Sequence, residues 1–231
     1  MTDPQQTAAV QRIRPLAFHR AGGTEDWRVL GDGACAHFRT DGFAAGARFV
    51  HALAGLDLTG PAGTSPDVDL RSDGVTVRLI TLTDTFFGLT EEIVDLARRI
   101  SALAAAHGLT PDPSGVQTVQ VTLDALDMPA VVAFWSALLG YTDRAGSPED
   151  LVDPRRRGGP FFFQQMDEPR PQRNRVHVDL WLPYDRAEAR IAAALAAGGR
   201  LLDDTDAPGL WILSDPEGNE ACVGAAGAPA A

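Results

Sequence analysis

The sequence predicts an α+β protein in two blocks, and three observations support this. Short segments alternate apolar and polar residues with the period of a strand, while longer ones repeat apolar residues at helical spacing. Gly- and Pro-rich stretches punctuate them, and the later block runs twice through the order strand, helix, three strands. The expected architecture is an antiparallel sheet with helices on one face, followed by paired βαβββ modules that would pair edge to edge into a curved eight-stranded sheet.

In the first block an N-terminal helix is followed by "CAHFRTDG" and "VDLRSDGVTVRLITL", which read as strands from their alternation and β-branched content. Asp41 would cap a helix from about Phe43 to Leu56. Thr90 would cap "EEIVDLARRISALAAA", whose Glu91 and Glu92 suit the positive helix start and whose Ile93, Leu96, Ile100 and Leu103 recur on one face. Gly108 would close that helix in a left-handed cap, and Pro111 and Pro113 prevent its resumption. Residues 110–115 therefore read as a linker between domains at 1–109 and 116–231.

The second block opens with "VQVTLDALD", a strand leading into the helix "MPAVVAFWSALLGY", which Asp127 or Pro129 starts and Gly140 ends. Short strands continue to "GPFFFQQM". The pattern then restarts: "RNRVHVDLWL" places His177 mid-strand, a helix runs from about Arg186 to Ala197 and stops at Gly198, and "RLLDD", "GLWILSD" and "EACVG" follow as strands.

Strand parity sorts the chemistry of this block. Gln120, Thr122 and Asp124 share one face of their strand, opposite Val121, Leu123 and Ala125. Likewise His177, Asp179 and Trp181 oppose Val176, Val178 and Leu180, and Glu220 and Cys222 oppose Ala221 and Val223. With its oily side under helices, such a sheet presents a polar lining suited to a small molecule. Asp124, Asp179 and Glu220 are the carboxylates placed for general acid–base work there, and Trp181 and Phe162 the aromatic groups placed to touch a ligand.

Hydrophobic residues at 45% and charged ones at 22% suit a folded core and argue against disorder. A net charge of -11 and a pI near 4.8 speak against a nucleic-acid partner, which needs a clustered positive face. The basic run Arg155–Arg157 reads as a solvated loop, with an anion clamp as its alternative. Cys35 and Cys222 are too few and too far apart for a disulfide framework. The opening "MTDPQQTAAVQ" has no basic stretch followed by an apolar core, and no run approaches the roughly 20 apolar residues of a membrane span. A cytoplasmic address without membrane contact is expected.

Two resemblances follow from these motifs. On "FWSALLGY", "NRVHVDL" and "DPEGNEACV", residues 116–224 resemble the vicinal oxygen chelate superfamily, which includes glyoxalase I, extradiol dioxygenases and bleomycin-resistance proteins. That likeness implies a divalent ion (Zn, Ni, Mn or Fe) held by Gln120, Gln164 or Gln165, His177 and Glu220; parity favours Gln164, which leaves Phe161 and Phe163 to pack under the helices. On "DWRVL", "FRTDGFAAGARFV", "PDVDLR" and "GLTEEIVDLARRI", residues 1–109 resemble pterin-4a-carbinolamine dehydratases. That family's histidine pair and third histidine fall on Thr64, Ser65 and Asp84 here, so the groups that titrate near neutrality are missing.

The implied function is binding and transformation of a small oxygen-bearing molecule in the second block, by isomerisation, lyase chemistry or oxygen insertion. Its alternative is a metal-free binding or resistance-type protein. Dehydratase turnover ranks behind both, and the first block would serve as a ligand-binding, docking or homo-oligomerisation surface, with Asp67, Asp69, Arg71 and Arg78 at its rim.

Overall fold

The computed structural model describes residues 11–31, 33–58, 64–169 and 177–225, and divides the chain into a first unit, 1–118, and a second, 119–231. The opening "MTDPQQTAAV" and residues 170–176, which begin the expected His177 strand, lie outside the described residues. Among the described residues no helix is long and apolar enough to cross a membrane.

The first unit is an antiparallel sheet built from β1 (Arg12–Ile13), β2 (Arg28–Leu30), β3 (Gly33–Arg39), β4 (Thr64–Leu70), β5 (Gly74–Thr83), β6 (Phe86–Thr90) and β7 (Thr110–Pro111). Its order is β1-β6-β5-β3-β2, with β4 also paired to β5 and β7 to β3. Among the described residues three helices accompany it: α1 (Pro15–Arg20), α2 (Phe43–Ala54) and α3 (Glu91–Ala106). Phe38, Val75, Val77 and Leu79 of the sheet are buried with Phe18, Phe49, Leu53, Ile93 and Ile100 of the helices, each such side chain contributing about 1.5–3 kcal/mol.

Two caps differ from expectation. Gly42, not Asp41, is the N-cap of α2, with a φ of 103°. Thr90 is the N-cap of α3 by position, but its side chain makes no capping bond. The hydroxyl is buried and instead meets Thr81 Oγ1 at 3.3 Å, which in turn bonds Thr64 Oγ1 at 2.6 Å. A buried hydroxyl takes whichever partner the sheet offers, and the acidic first turn leaves α3 favoured without it.

Residues 110–115, expected as a linker, are folded onto the first sheet. Thr110 and Pro111 pair with Arg39 and Phe38, Asp112 N donates to His37 O at 2.8 Å, and Asp112 Oδ1 caps a turn at Pro113–Gly115 by accepting from Ser114 N at 3.1 Å. Proline lacks a ladder donor, so it stops the helix without preventing an edge pairing.

The second unit carries the two βαβββ modules. The first comprises β8 (Val121–Ala125), α4 (Met128–Leu139), β9 (Thr142–Arg144), β10 (Ser147–Val152) and β11 (Phe161–Gln165). The second comprises β12 (Val178–Trp181), α5 (Tyr184–Ala196), β13 (Arg200–Asp203), β14 (Leu210–Ser214) and β15 (Glu220–Gly224). Their sheets run β8-β11-β10-β9 and β12-β15-β14-β13, in each case with the first pair parallel and the rest antiparallel. Asp127 starts α4, accepting a 3.3 Å bond from Ala130 N, and Gly140 ends it in the left-handed region at φ 69°.

The eight expected strands are thus present as two four-stranded sheets, and among the described residues no backbone ladder joins them. Side chains do. One core runs through both modules, from Phe134, Trp135, Phe161 and Phe163 to Ile191, Leu213, Ala221 and Val223. A Cβ at Gly199 would overlap the Phe134 ring, so the second module closes directly on α4. Arg190 of α5 donates to Leu138 O at 3.0 Å, and Glu217 accepts from Leu126 N and Asp127 N at 2.8 and 2.5 Å.

Candidate functional site

His177 is not mid-strand: pairing of β12 with β15 begins at Val178↔Ala221, so His177 is the residue just before β12. The register continues Asp179↔Cys222, Leu180↔Val223 and Trp181↔Gly224. Ala221 and Val223 are fully buried toward α4 and α5, and side chains alternate, so Asp179, Trp181, Glu220 and Cys222 emerge on the opposite face with His177 beside them.

On that face three donors of different chemistry meet. Ligand atoms of His177, Asp179 and Cys222 all lie within 4.8 Å of one another, and His177 Nε2 stands 3.3 Å from Asp179 Oδ1. Both of those side chains are about half exposed, whereas Cys222 is partly buried. Burial pushes the Cys222 thiol up from its ordinary range, helped by its hydrogen bond to Asp179 and by the charges of Asp179 and Glu220. The Trp181 ring lies over Gly224, where a Cβ would come within 2.8–3.0 Å of three indole atoms. The missing side chain of Gly224 is what lets the indole pack so closely against the backbone, and Trp181 nonetheless remains 68% exposed.

The "DPEGNE" turn positions Glu220. Asp215 is completely buried, and its carboxylate accepts from Trp135 Nε1 at 3.1 Å, from Glu217 N and Asn219 N at 2.9 Å each, and from Asn219 Nδ2 at 2.6 Å. Glu220 then opens β15 opposite Ser214. Neither Asp215 nor the clamp made by Glu217 was among the residues expected to matter. Their only signal in the sequence is an Asp at the start of a Gly-containing turn, which predicts local rather than long-range bonds.

On the other sheet, parallel pairing sets Phe162 beside Thr122 and Gln164 beside Asp124, while Phe161, Phe163 and Ala125 are buried. Gln164, Asp124, Thr122 and Phe162 therefore share the polar face. The amide of Gln165 is committed elsewhere, donating to Leu126 O at 2.8 Å and Met166 O at 3.0 Å. Gln120 is exposed and immediately precedes β8.

Arg155–Arg157 form a loop wound around Asp153, whose carboxylate accepts from the backbone N–H of Arg155, Arg157 and Gly158 at 2.8–3.0 Å. Burial opposes ionisation of Asp153, but these bonds and the Arg157 charge outweigh it and hold the carboxyl below its ordinary range. In the first unit Thr64 is buried with its hydroxyl on Thr81, Asp84 is exposed between β5 and β6, and the side chain of Ser65 lies outside the described residues. Arg78 pairs with Asp67 at 3.1 Å and Arg71 with Asp69 at 2.8 Å.

Comparison with known proteins bears on the second unit. Residues 120–224 match the family described as "Glyoxalase-like domain". Similar solved structures include a glyoxalase/bleomycin resistance protein from Albidiferax ferrireducens, 23% identical over 46% of this chain and 95% of that one, with a TM-score of 0.38. A glyoxalase/bleomycin resistance protein/dioxygenase family enzyme from Burkholderia phytofirmans is 18% identical over 45% of this chain and 94% of that one, with a TM-score of 0.37. A mutant fosfomycin resistance protein from Listeria monocytogenes, complexed with Mn(II) and 1S,2S-dihydroxypropylphosphonic acid, is 14% identical over 48% of this chain and 90% of that one, at 0.38. No curated protein matches the chain.

Proposed function

We propose that the second unit binds a small oxygen-bearing molecule against the polar face of β12 and β15 and transforms it there, as domains of the glyoxalase/bleomycin resistance/dioxygenase kind do. The observation that carries this reading is the convergence of His177, Asp179 and Cys222 beside an indole laid over Gly224. Trp181 supplies a flat apolar surface against which a ring or chain can stack. Asp179, at 3.3 Å from His177 Nε2, orients the imidazole and can take or return a substrate proton. Asp124, Phe162 and Gln164, which share a face of the other sheet, contribute further ligand contacts in this reading.

His177 and Glu220, joined by the amides of Gln120 and Gln164, are the residues that would hold a divalent ion in the resembling superfamily. One imidazole, one carboxylate and two neutral amides suit such an ion and leave it net positive. When bound, it supplies Lewis-acid polarisation of a substrate oxygen. The protein's own groups then bind the remainder of the substrate and move its proton.

A second reading, metal-free binding, is favoured by the exposed Trp181, since a binder needs shape and aromatic surface but no open coordination. Elemental analysis of protein purified without chelator or metal-affinity resin separates the two. The metal-dependent reading expects a stoichiometric divalent ion and a melting temperature raised by added Zn, Ni, Mn or Fe, equivalent to about 2.7 kcal/mol at 100 times Kd. No ion and an unchanged melting temperature, with Trp181 fluorescence still responding to bleomycin or a catechol, would give the binder. Absence of all three responses would contradict both.

For the first unit we propose a scaffold of the dehydratase kind without its turnover, acting as a docking or self-association surface. The hydroxyl of Thr64 is bonded to Thr81, and Asp84 stands exposed, which leaves little for acid–base work.

A further inference from the structure

The geometry points to a mixed nitrogen, oxygen and sulfur site for a thiophilic divalent cation, formed by His177 Nε2, an Asp179 carboxylate oxygen and the Cys222 sulfur. It rests on the reading of the β12–β15 face as the reactive one, but it names different donors from the imidazole, carboxylate and amide set.

The three donors come from two strands in parallel register. Asp179 and Cys222 are direct neighbours across the ladder, and His177 is two residues before Asp179, on the same side. No backbone movement is therefore required to bring them together. Bonds of about 2.0–2.3 Å at tetrahedral angles place donor atoms roughly 3.3–3.6 Å apart. The His177–Asp179 separation is already 3.3 Å, and the remaining separations are at most 4.8 Å. Rotation of the two half-exposed side chains closes the difference.

The donor types then select the ion. A thiolate with an imidazole favours Zn2+ or Co2+, whereas Mg2+ and Mn2+ prefer all-oxygen shells. Three protein donors leave a fourth position for a water or substrate oxygen, the arrangement of a catalytic rather than a closed structural zinc site. Glu220, which opens β15 two residues before Cys222 and shares its face, stands at the margin to orient whatever occupies that position. Trp181, next along β12, gives the bound molecule its apolar wall.

Titrating the metal-free full-length protein with Co2+ tests the site through a spectroscopic signature. One equivalent should bind with a thiolate-to-cobalt charge-transfer band in the near ultraviolet, and Zn2+ should displace it while Mg2+ does not. Cys222→Ser should abolish the band and weaken Co2+ binding by at least about tenfold, and Asp179→Asn should weaken binding while retaining the band. Saturable Co2+ binding without the band, unchanged in Cys222→Ser but lost in His177→Ala, would overturn this inference and leave the amide and carboxylate set in place. No Co2+ binding at all would overturn it together with the metal-dependent reading, while the response of Trp181 to small molecules would still decide whether the face binds ligands.

Discussion

Asp215→Ala should destabilise the second unit by about 3–5 kcal/mol, although the residue touches nothing in the proposed site. Its buried carboxylate is the common acceptor for the indole N–H of Trp135, two backbone N–H groups and the Asn219 amide. Removing it strands the buried indole N–H of Trp135 away from water and leaves the three part-buried donors of the turn without their acceptor, at about 1–3 kcal/mol for each left unsatisfied, and the partial relaxation of the turn sets the range. The turn also fixes where β15 begins, so Glu220 and Cys222 should lose their places and the affinity of the face for ligand should fall with stability. Chemical denaturation of the variant measures the first effect. A loss under about 1 kcal/mol would mean that the turn holds its shape without the carboxylate.

Phe134→Ala should cost about 3–5 kcal/mol as well, and it should do so for both modules at once. The ring is fully buried, meets Trp135 edge-to-face at 5.4 Å between centroids, and abuts Gly199 of the other module. Because the two sheets share side-chain packing and no described ladder, a cavity at this point removes support from each. Amide hydrogen exchange of β8–β11 and β12–β15 in the variant should show protection falling in parallel. Loss confined to the first sheet would show that the modules fold independently.

What the sequence made legible is what local physics determines. The period of two assigned Phe161, Phe163, Ala221 and Val223 to the core and Gln164 to the polar side, because each strand pairs without interruption over those positions. The caps of α4 at Asp127 and Gly140 could be read for the same reason, since both bonds close within a few residues. Residues whose partners are distant in sequence were read less well. Thr90 has the type and position of a cap, yet its hydroxyl turns to Thr81 across the sheet. Thr110 and Pro111 carry a breaker signal, yet they pair with β3 some seventy residues earlier.

The site shows the same limit. Parity put His177, Asp179 and Trp181 on one strand face, and Glu220 and Cys222 on another, but which residues stand side by side depends on register between strands forty residues apart. That register joins Asp179 to Cys222, residues that nothing in the local sequence of either strand sets side by side. The alternating patterns His-x-Asp and Glu-x-Cys carried the signal, visible once the two strands are set parallel. The glyoxalase-like match over residues 120–224 fits the order of these elements and says nothing of this pairing.

The central claim is that the reactive face of this chain is the one shared by His177, Asp179, Trp181, Glu220 and Cys222. Its most direct test is the amide spectrum of the labelled full-length protein during addition of substoichiometric Co2+. Paramagnetic broadening should begin at residues 177–182 and 219–224 and spread outward from there. Broadening that begins in the first unit, or among the exposed carboxylates of β13 and the turn after it, would place the ion elsewhere and contradict the account.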